Sequence, residues 1–350
     1  MIKYRLANRE DNQQLIELTA ASGMSGDTPI RIDRNPDFFK LLDLRGDTKV
    51  FVALDGEHII GSLCVSLQHV YVDGNILPLQ YIGDFKVAAA YRNKGIGLQL
   101  CNEMADYVIS IGADLAFLNV SKGNTKPISF FKNRPNVPDF DNIGTFHIHQ
   151  FVGRRKNIFH SEYRIESSIA DDKIVSFLNT HYGKYELGPV ITNEKLYDTE
   201  VFIIREKNTI IAAMCLSDTM HVKQNVVTRV NLKMKYLLKA LNACSNLLGI
   251  SKMPLLNEPV QMMYIKYLAV DFPERQLVKL LINYARNIVY QKSYSFASIG
   301  LHEKDPLNKY LPGGIRITFN SVGMLLSIKD NKQLINQVKQ GIPFEDYSLV

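Results

Sequence analysis

The chain has 350 residues, enough for two domains of ordinary size, and 46% hydrophobic with 22% charged residues is the composition of a globular chain with a full core. The net charge of +6 admits an anionic small-molecule ligand. The densest basic run is only "GRRK" at Gly153–Lys156, and no recognition motif accompanies it, so sequence-specific nucleic-acid binding is not expected.

The opening "MIKYRLANREDNQQL" carries charges from Lys3 onward and is not expected to be a leader. "IKYRLA" reads as a strand, and "NREDNQQLIELTAAS" as a helix with Asn8 and Asp11 as candidate caps. "GMSGD" (Gly23–Asp27) approaches the G-x-S-x-G pattern but lacks its last glycine and reads as a loop. "NPDFFKLLDL" predicts a short helix opened by Pro36. Three strands follow, from Lys49 to Val87, separated by Asp55-Gly56 and Asp73-Gly74; Asp-Gly between apolar runs is a strong hairpin signal. A glycine-containing stretch, "YRNKGIGLQL", leads into a helix ending near Ile111. "DLAFLNVS" reads as a strand, "TKPISFFKNR" as a short helix and "GTFHIHQFVG" as a last strand.

The second half repeats this order more faintly. "YRIESSI" is strand-like, and "DDKIVSFLNTHYG" reads as a helix ended by Gly183. "EVFIIREKNTIIAAMCLS" is a pair of strands around an Asn turn. An insertion of about Asp218–Glu258 carries the helical run "NLKMKYLLKALNACSNLLGI", whose apolar residues are expected to pack on the core. A strand "VQMMYIKYLAV", a helix opened by Pro273, strands "SFASIGL" and "IRITFNSVGMLLSI", and a tail packing elsewhere complete the chain. Tyr81-Ile82-x-x-Phe85-x-Val87 matches Tyr264-Ile265-x-x-Leu268-x-Val270 position by position, and each run is followed by an arginine (Arg92, Arg275) and a helix. A duplication is expected, with its boundary near residues 153–162.

Cys64, Cys101, Cys215 and Cys244 all lie in apolar runs and form no C-x-x-C pair. They read as buried free thiols in a reducing compartment, not as a metal site. No apolar run approaches the roughly 18 residues needed to span a bilayer. The expectation is a cytoplasmic protein, monomeric or homodimeric, with no membrane or nucleic-acid partner.

"RNKGIG" sits where a strand hands over to a helix. The first N–H groups of a helix lack partners and attract anions, glycines let the backbone approach a phosphate closely, and Arg92 and Lys94 add charge. A diphosphate is the natural guest. No Ser or Thr follows a Gly-Lys pair, which excludes a P-loop, and Leu100 stands where a dinucleotide fingerprint needs its third glycine.

"FKVAAAYRNKGIGLQL" carries R-x-x-G-x-G and resembles the acetyl-CoA motif of the GNAT (GCN5-related N-acetyltransferase) superfamily, [QR]-x-x-G-x-[GA]. The resemblance implies an α/β (α+β) fold of two GNAT-like domains, each a mixed, mostly antiparallel twisted sheet flanked by helices. Residues 1–155 would bind acetyl-CoA as co-substrate, and residues 156–350 would be a degenerate copy lacking the glycines. It implies that the pyrophosphate lies on the turn Arg92, Asn93, Lys94, Gly95, Ile96, Gly97 and Leu98. The pantetheine would pair with the strand Asp84, Phe85, Lys86 and Val87, which splays from "AFLNVS", and the Val87 N–H would polarise the thioester carbonyl. Asn124 opens a run like the family's N-x-x-A-x-x-x-Y and could contact the cofactor or cap a helix. Its tyrosine position is Phe131, which cannot protonate the leaving thiolate.

Asp84 is a carboxylate inside an apolar strand. Desolvation would raise its pKa and make it a general base; alternatively it pairs with Lys86 or Arg92. Tyr81 faces the other side by strand alternation and reads as core. "RIDRNPDFF" lies in the loop that in this fold lines the acceptor site, so Arg31, Arg34 and Phe38 are candidate substrate contacts. His147 and His149 share a strand face without a third ligand, and His302, Glu303 and Tyr310 could reach a cleft between domains. No metal is expected. The reaction expected is acetyl transfer to the primary amine of a small molecule or peptide, by direct attack on the thioester. A non-catalytic acyl-CoA sensor and a longer-chain acyltransferase are the alternatives.

Overall fold

A computed structural model describes residues 1–23, 30–123, 139–155, 162–271 and 275–350. The chain begins with β1 (Ile2–Leu6), α1 (Asn12–Ala21), β2 (Ile30–Asp33) and α2 (Phe38–Arg45). Asn8 and Asp11 form a reciprocal capping box ahead of α1, as their spacing suggests. α2 starts two residues later than expected, because the Asp37 side chain, not Pro36, caps it by accepting from the Phe39 N–H. β3 (Asp47–Asp55), β4 (His58–Val72) and β5 (Asn75–Val87) form the expected meander. At the second turn Asp73 and Gly74 both take positive φ, 50° and 73°, as a tight two-residue hairpin requires. α3 (Ile96–Ser110), β6 (Leu115–Ser121) and β7 (Asp141–Val152) follow. The expected helix "TKPISFFKNR" lies outside the described residues, as do most of "GMSGD" and the proposed boundary segment.

The second half supplies β8 (Ile165–Ser168), α4 (Asp172–Tyr182), β9 (Gly188–Pro189), β10 (Thr199–Glu206), β11 (Thr209–Ser217), β12 (Gln224–Val227) and α5 (Leu232–Leu248). Then come β13 (Met262–Val270), α6 (Arg275–Gln291), β14 (Phe296–His302), β15 (Arg316–Ser327) and α7 (Lys332–Gln340). Pro273, expected to open α6, is outside the described residues. β2, β12 and α7 were not legible in the sequence pattern.

Among the described residues the strands build a 13-stranded sheet in the order β1-β3-β4-β5-β6-β15-β7-β14-β13-β11-β10-β8, with β9 beside β4. Each end of this order reads the same way inward: two outer strands, a meander partner, a strand pairing in parallel with the one after the helix. β5–β6 and β13–β14 are the parallel pairs. At the centre the halves exchange their last strands, β15 lying against β6 and β7 against β14. β2 and β12 make a separate antiparallel ladder that ties the two halves together on one face.

Strand periodicity sorts the core into layers. Val50, Val52 and Leu54 point to one face and pack on α1 and α2 with Leu15 and Phe38. Phe51 and Ala53 point to the other, beneath Leu100, Met104 and Val108 of α3. The second half repeats this, with Phe202 and Ile204 under α6 and Val201 and Ile203 under α4. A further cluster containing Tyr81, Phe117, Phe146, Tyr264 and Tyr347 fills the middle of the sheet.

Candidate active site

At the end of β5 the chain makes a 3-10 turn over Ala89–Tyr91 and then the glycine turn. Asn93 and Gly95 adopt positive φ, 62° and 81°. Gly95 is the N-cap of α3 and no side chain caps the helix. The Gln99 N–H is the one that reaches back to the Gly95 carbonyl, so the N–H groups of Ile96, Gly97 and Leu98 point out of the helix end. Arg92, Asn93, Lys94, Gly95 and Leu98 are exposed around them. Arg92 Nε donates to the Val87 carbonyl at 3.2 Å, and Lys94 Nζ sits 5.1 Å from the Tyr91 ring centroid, whose hydroxyl donates to Asp55. Both cations are thereby held beside the turn. Gly61 on β4 lets the helix start approach: a Cβ there would lie 3.2 Å from Ile96 and 3.0 Å from Leu100.

The strands open where the sequence expects them to. β5 and β6 pair from Leu79↔Leu115 to Ile82↔Leu118 and no further, while β5 stays paired with β4 as far as Val87↔Gly61. The Ala88 N–H donates to Ile60 of β4, so by alternation the Val87 N–H faces away from β4 into the gap.

Asp84 stands two residues beyond the last β5–β6 pair, at the apex of this wedge. It occupies a bulge in which Asp84 and Phe85 oppose the single residue Leu63, and its φ is 49°. The bulge breaks the alternation on which the sequence reading relied. Asp84 consequently shares a partner with Tyr81: Arg45 donates to Asp84 at 2.9 Å and lies 5.1 Å from the Tyr81 ring centroid. Arg34 Nη2 donates to both carboxylate oxygens, at 2.7 and 2.9 Å. The ion pairs are with Arg34 and Arg45; of the two expected partners, Lys86 acts on Asp84 only through its charge. The raised pKa expected of Asp84 is reversed. Burial does favour the neutral acid, but the charges of Arg34, Arg45 and Lys86 outweigh it and hold the carboxyl well below the ordinary carboxylate range. Tyr81 is a core residue, as expected.

Arg34 is 1% exposed, and its Nε and Nη1 have no hydrogen-bond partner among the described residues. Arg31 is paired with Asp33 through two contacts of 2.8 Å. Phe38, expected to touch substrate, is fully buried among Leu15, Leu42 and Val52 and reaches the site only as the surface beneath the Arg34 guanidinium. Asn124 and Phe131 lie outside the described residues.

The tail after α7 returns to this place, which nothing in the sequence announced. Phe344 enters by donating its N–H to the Glu186 carbonyl. The Tyr347 hydroxyl sits between Asn119 of β6 and Ser321 of β15. Arg45 Nε donates to the Leu349 carbonyl, and Lys223 Nζ donates to the carbonyls of Tyr347 and Val350, at 3.1 and 2.7 Å. Lys223 is buried beside Arg34 and Arg45, and burial with this like charge pushes its pKa down to about 7. Glu345 lines a cleft with Arg45, Tyr81, His69, Lys195 and Lys266, holding about 630 Å³ of space including its open mouth. Burial pushes the Glu345 carboxyl up to about 8. It is the carboxyl of this site whose pKa approaches neutrality. Gly83 was the one available signal for such crowding: a Cβ there would come within 3.2 Å of Arg45.

The remaining candidates make contacts within the fold. His149 is buried between Thr318 and Asn308, and desolvation pushes its pKa down to about 4; His147 pairs with Asn320. His302 is buried against the Ile143 carbonyl, Glu303 accepts from the Thr145 N–H, and Tyr310 packs on the α6 layer. Among the described residues no group of three His, Cys, Asp or Glu side chains could hold a metal. Cys64, Cys101 and Cys215 are buried, but Cys244 is exposed, contrary to expectation.

Residues 3–125 match the family described as acetyltransferase (GNAT) domain. A search of curated proteins finds no match. The structure is similar to that of a GCN5-related N-acetyltransferase from Anabaena variabilis, with a TM-score of 0.54 and 11% identity over 94% of this chain and 73% of that one. It is similar also to a GCN5-related N-acetyltransferase from Kribbella flavida, with a TM-score of 0.51 and 9% identity over 92% and 70%. A third is Saccharomyces cerevisiae N-myristoyltransferase with bound myristoyl-CoA, with a TM-score of 0.58 and 10% identity over 93% and 82%. At these identities the likeness is one of fold. Together, the family match and the fold support acyl-CoA-dependent N-acyl transfer as the general chemistry.

Proposed function

We propose that the chain transfers an acetyl group from acetyl-CoA to the primary amine of a small molecule or peptide, by direct attack on the thioester. The observation that carries this reading is the uncapped start of α3, with Gly95 in the left-handed region and Arg92 and Lys94 beside it, next to the gap between β5 and β6. In it, the turn Arg92 to Leu98 binds the pyrophosphate, and Phe85 to Val87 present their backbone to the pantetheine. The Val87 N–H polarises the carbonyl as the tetrahedral oxyanion forms. Residues 1–155 hold the cofactor; residues 156–350 are a degenerate copy. β13 and β14 pair only as far as Tyr264↔Ser298, and the tail residues Phe344, Glu345, Tyr347 and Ser348 line the space beyond, which supports that division.

Asp84 serves in this reading as the anchor for Arg34 and Arg45, since a carboxylate held ionised by two guanidinium groups is a weak base. Glu345 is the better group to take the proton from the acceptor's ammonium, so that the free amine attacks, because it lines the cleft beside Arg45 and Tyr81. The unpartnered nitrogens of Arg34 suit an acceptor carrying an acidic group, with Arg31 nearby on β2.

The test is CoA release from acetyl-CoA and from a long-chain acyl-CoA across amine classes, beside Asp84→Asn and Gly95→Val. Turnover with acetyl-CoA and an acidic amine is expected. Binding of acetyl-CoA without release for any amine would make the chain a sensor, and a preference for the long-chain donor would overturn the acetyl assignment.

A further inference from the structure

α5 has two apolar sides. Leu238 and Leu241 face inward and pack on the central core cluster, and Asn242 ties the helix to both polar backbone groups of Met253. That leaves most of the helix outside. Leu232, Tyr236 and Leu247 are 71%, 68% and 87% exposed, and Met234, Leu237 and Leu248 are exposed as well. The apolar run packs on the core only through part of its length, less than its sequence suggested.

The exposed residues form a pattern. At 100° per residue, Leu232, Tyr236, Ala240, Ala243 and Leu247 share one side of the helix, and the exposed Met234, Leu237 and Leu248 lie outside that stripe. Lys233 flanks this stripe on one side and Lys235 and Lys239 on the other; all three are exposed. The surrounding segment, residues 219–257, contains no Asp or Glu, and Arg229 and Lys252 add two more exposed cations.

We propose that α5 docks the protein onto an anionic lipid surface, with the Leu232–Tyr236–Leu247 stripe in the acyl boundary and the lysines among the headgroups. This departs from the expectation that the chain has no membrane partner. The helix does not cross: among the described residues no helix is long and apolar enough. A helix lying in the interface needs an outward apolar stripe flanked by cations, and that is the pattern α5 presents. A symmetric second copy would bring lysine against lysine with no acid in the segment to offset it. A nucleic acid would answer the cations but leave the apolar stripe in water.

The full chain is sedimented with vesicles of phosphatidylcholine alone and of phosphatidylcholine with phosphatidylglycerol. It is expected to pellet with the mixed vesicles only, and to be released by salt as screening increases. Tyr236→Ser with Leu247→Ser is expected to weaken pelleting at least tenfold, and so is Lys233→Gln with Lys235→Gln and Lys239→Gln. These side chains are exposed, so an unchanged thermal unfolding curve shows that the fold is kept. The proposal is overturned by failure to pellet with anionic vesicles at low salt, or by pelleting that neither set of substitutions changes. It is equally overturned if the chain is a dimer in solution that the Tyr236→Ser, Leu247→Ser pair dissociates, or if duplex DNA is bound in place of vesicles with the serine variant unaffected.

Discussion

The ring of Tyr347 lies against the bare Cα of Gly300: a Cβ built on Gly300 would stand 2.0 Å from the ring Cδ2. The ring cannot retreat, because its hydroxyl is held by Asn119 and Ser321 and Phe146 packs beside it. Gly300→Ala is therefore expected to destabilise the chain by about 1–3 kcal/mol, the usual range for overpacking. In urea unfolding, Tyr347→Ala should absorb most of that penalty in the double variant. Additive losses would mean that the contact is not tight.

Asp84→Asn leaves two buried guanidinium groups without their anion. Breaking a buried ion pair from one side costs about 3–5 kcal/mol. The depressed pKa gives the sign of the pH dependence. The contribution is complete above the ordinary carboxylate value near pH 4, and is lost as pH falls through the lower folded value. Wild type and Asp84→Asn should thus converge in stability under acid. A gap that stayed constant down to pH 2 would exclude this role for the ion pair.

Gly95→Val forces a β-branched residue to φ 81°, where only glycine is at ease. The turn should deform and lower acetyl-CoA affinity at least tenfold, about 1.4 kcal/mol, in calorimetric titration. Unchanged affinity would separate the turn from the cofactor.

Glu345 titrates in the opposite sense to Asp84. Its folded pKa, about 8, lies above its ordinary 4.5, so its favourable contribution is complete below pH 4.5 and declines as pH rises toward 8. Lys223, pushed down to about 7, and His149 and His181, pushed down to about 4, add stability with rising pH, so the Glu345 contribution is read as the difference between wild type and Glu345→Gln. That difference should shift against wild type as pH rises from 5 to 8. If Glu345 is the proton acceptor, kcat/KM rises toward pH 8 and the variant loses that limb.

Cys244 is the exposed thiol, and Cys64, Cys101 and Cys215 are buried. An aromatic disulfide reagent should modify one thiol per native chain, and all four after unfolding. Cys244→Ser should abolish the native reaction; rapid modification of a second thiol would place another cysteine at the surface.

What the sequence determined by itself was local. Asp-Gly pairs closed the hairpins, period-two runs assigned the strand faces, and the glycine turn before α3 announced an anion site through backbone freedom and charge alone. The β5–β6 gap followed from family resemblance, and the pairing stops where that resemblance puts it. Tertiary structure decided the rest, because the deciding contacts join residues far apart in the chain. Arg34 and Arg45 lie 50 and 39 residues from Asp84, so its pKa could not be signed from its neighbours. One bulge turned Asp84 toward Tyr81, against the alternation that a regular strand would obey. The exchange of β7 and β15 and the return of Phe344–Val350 to the site depend on loop closures that leave no periodic trace. The outer face of α5 was hidden for the converse reason: an apolar run reads as core until the fold shows how little of it the core receives.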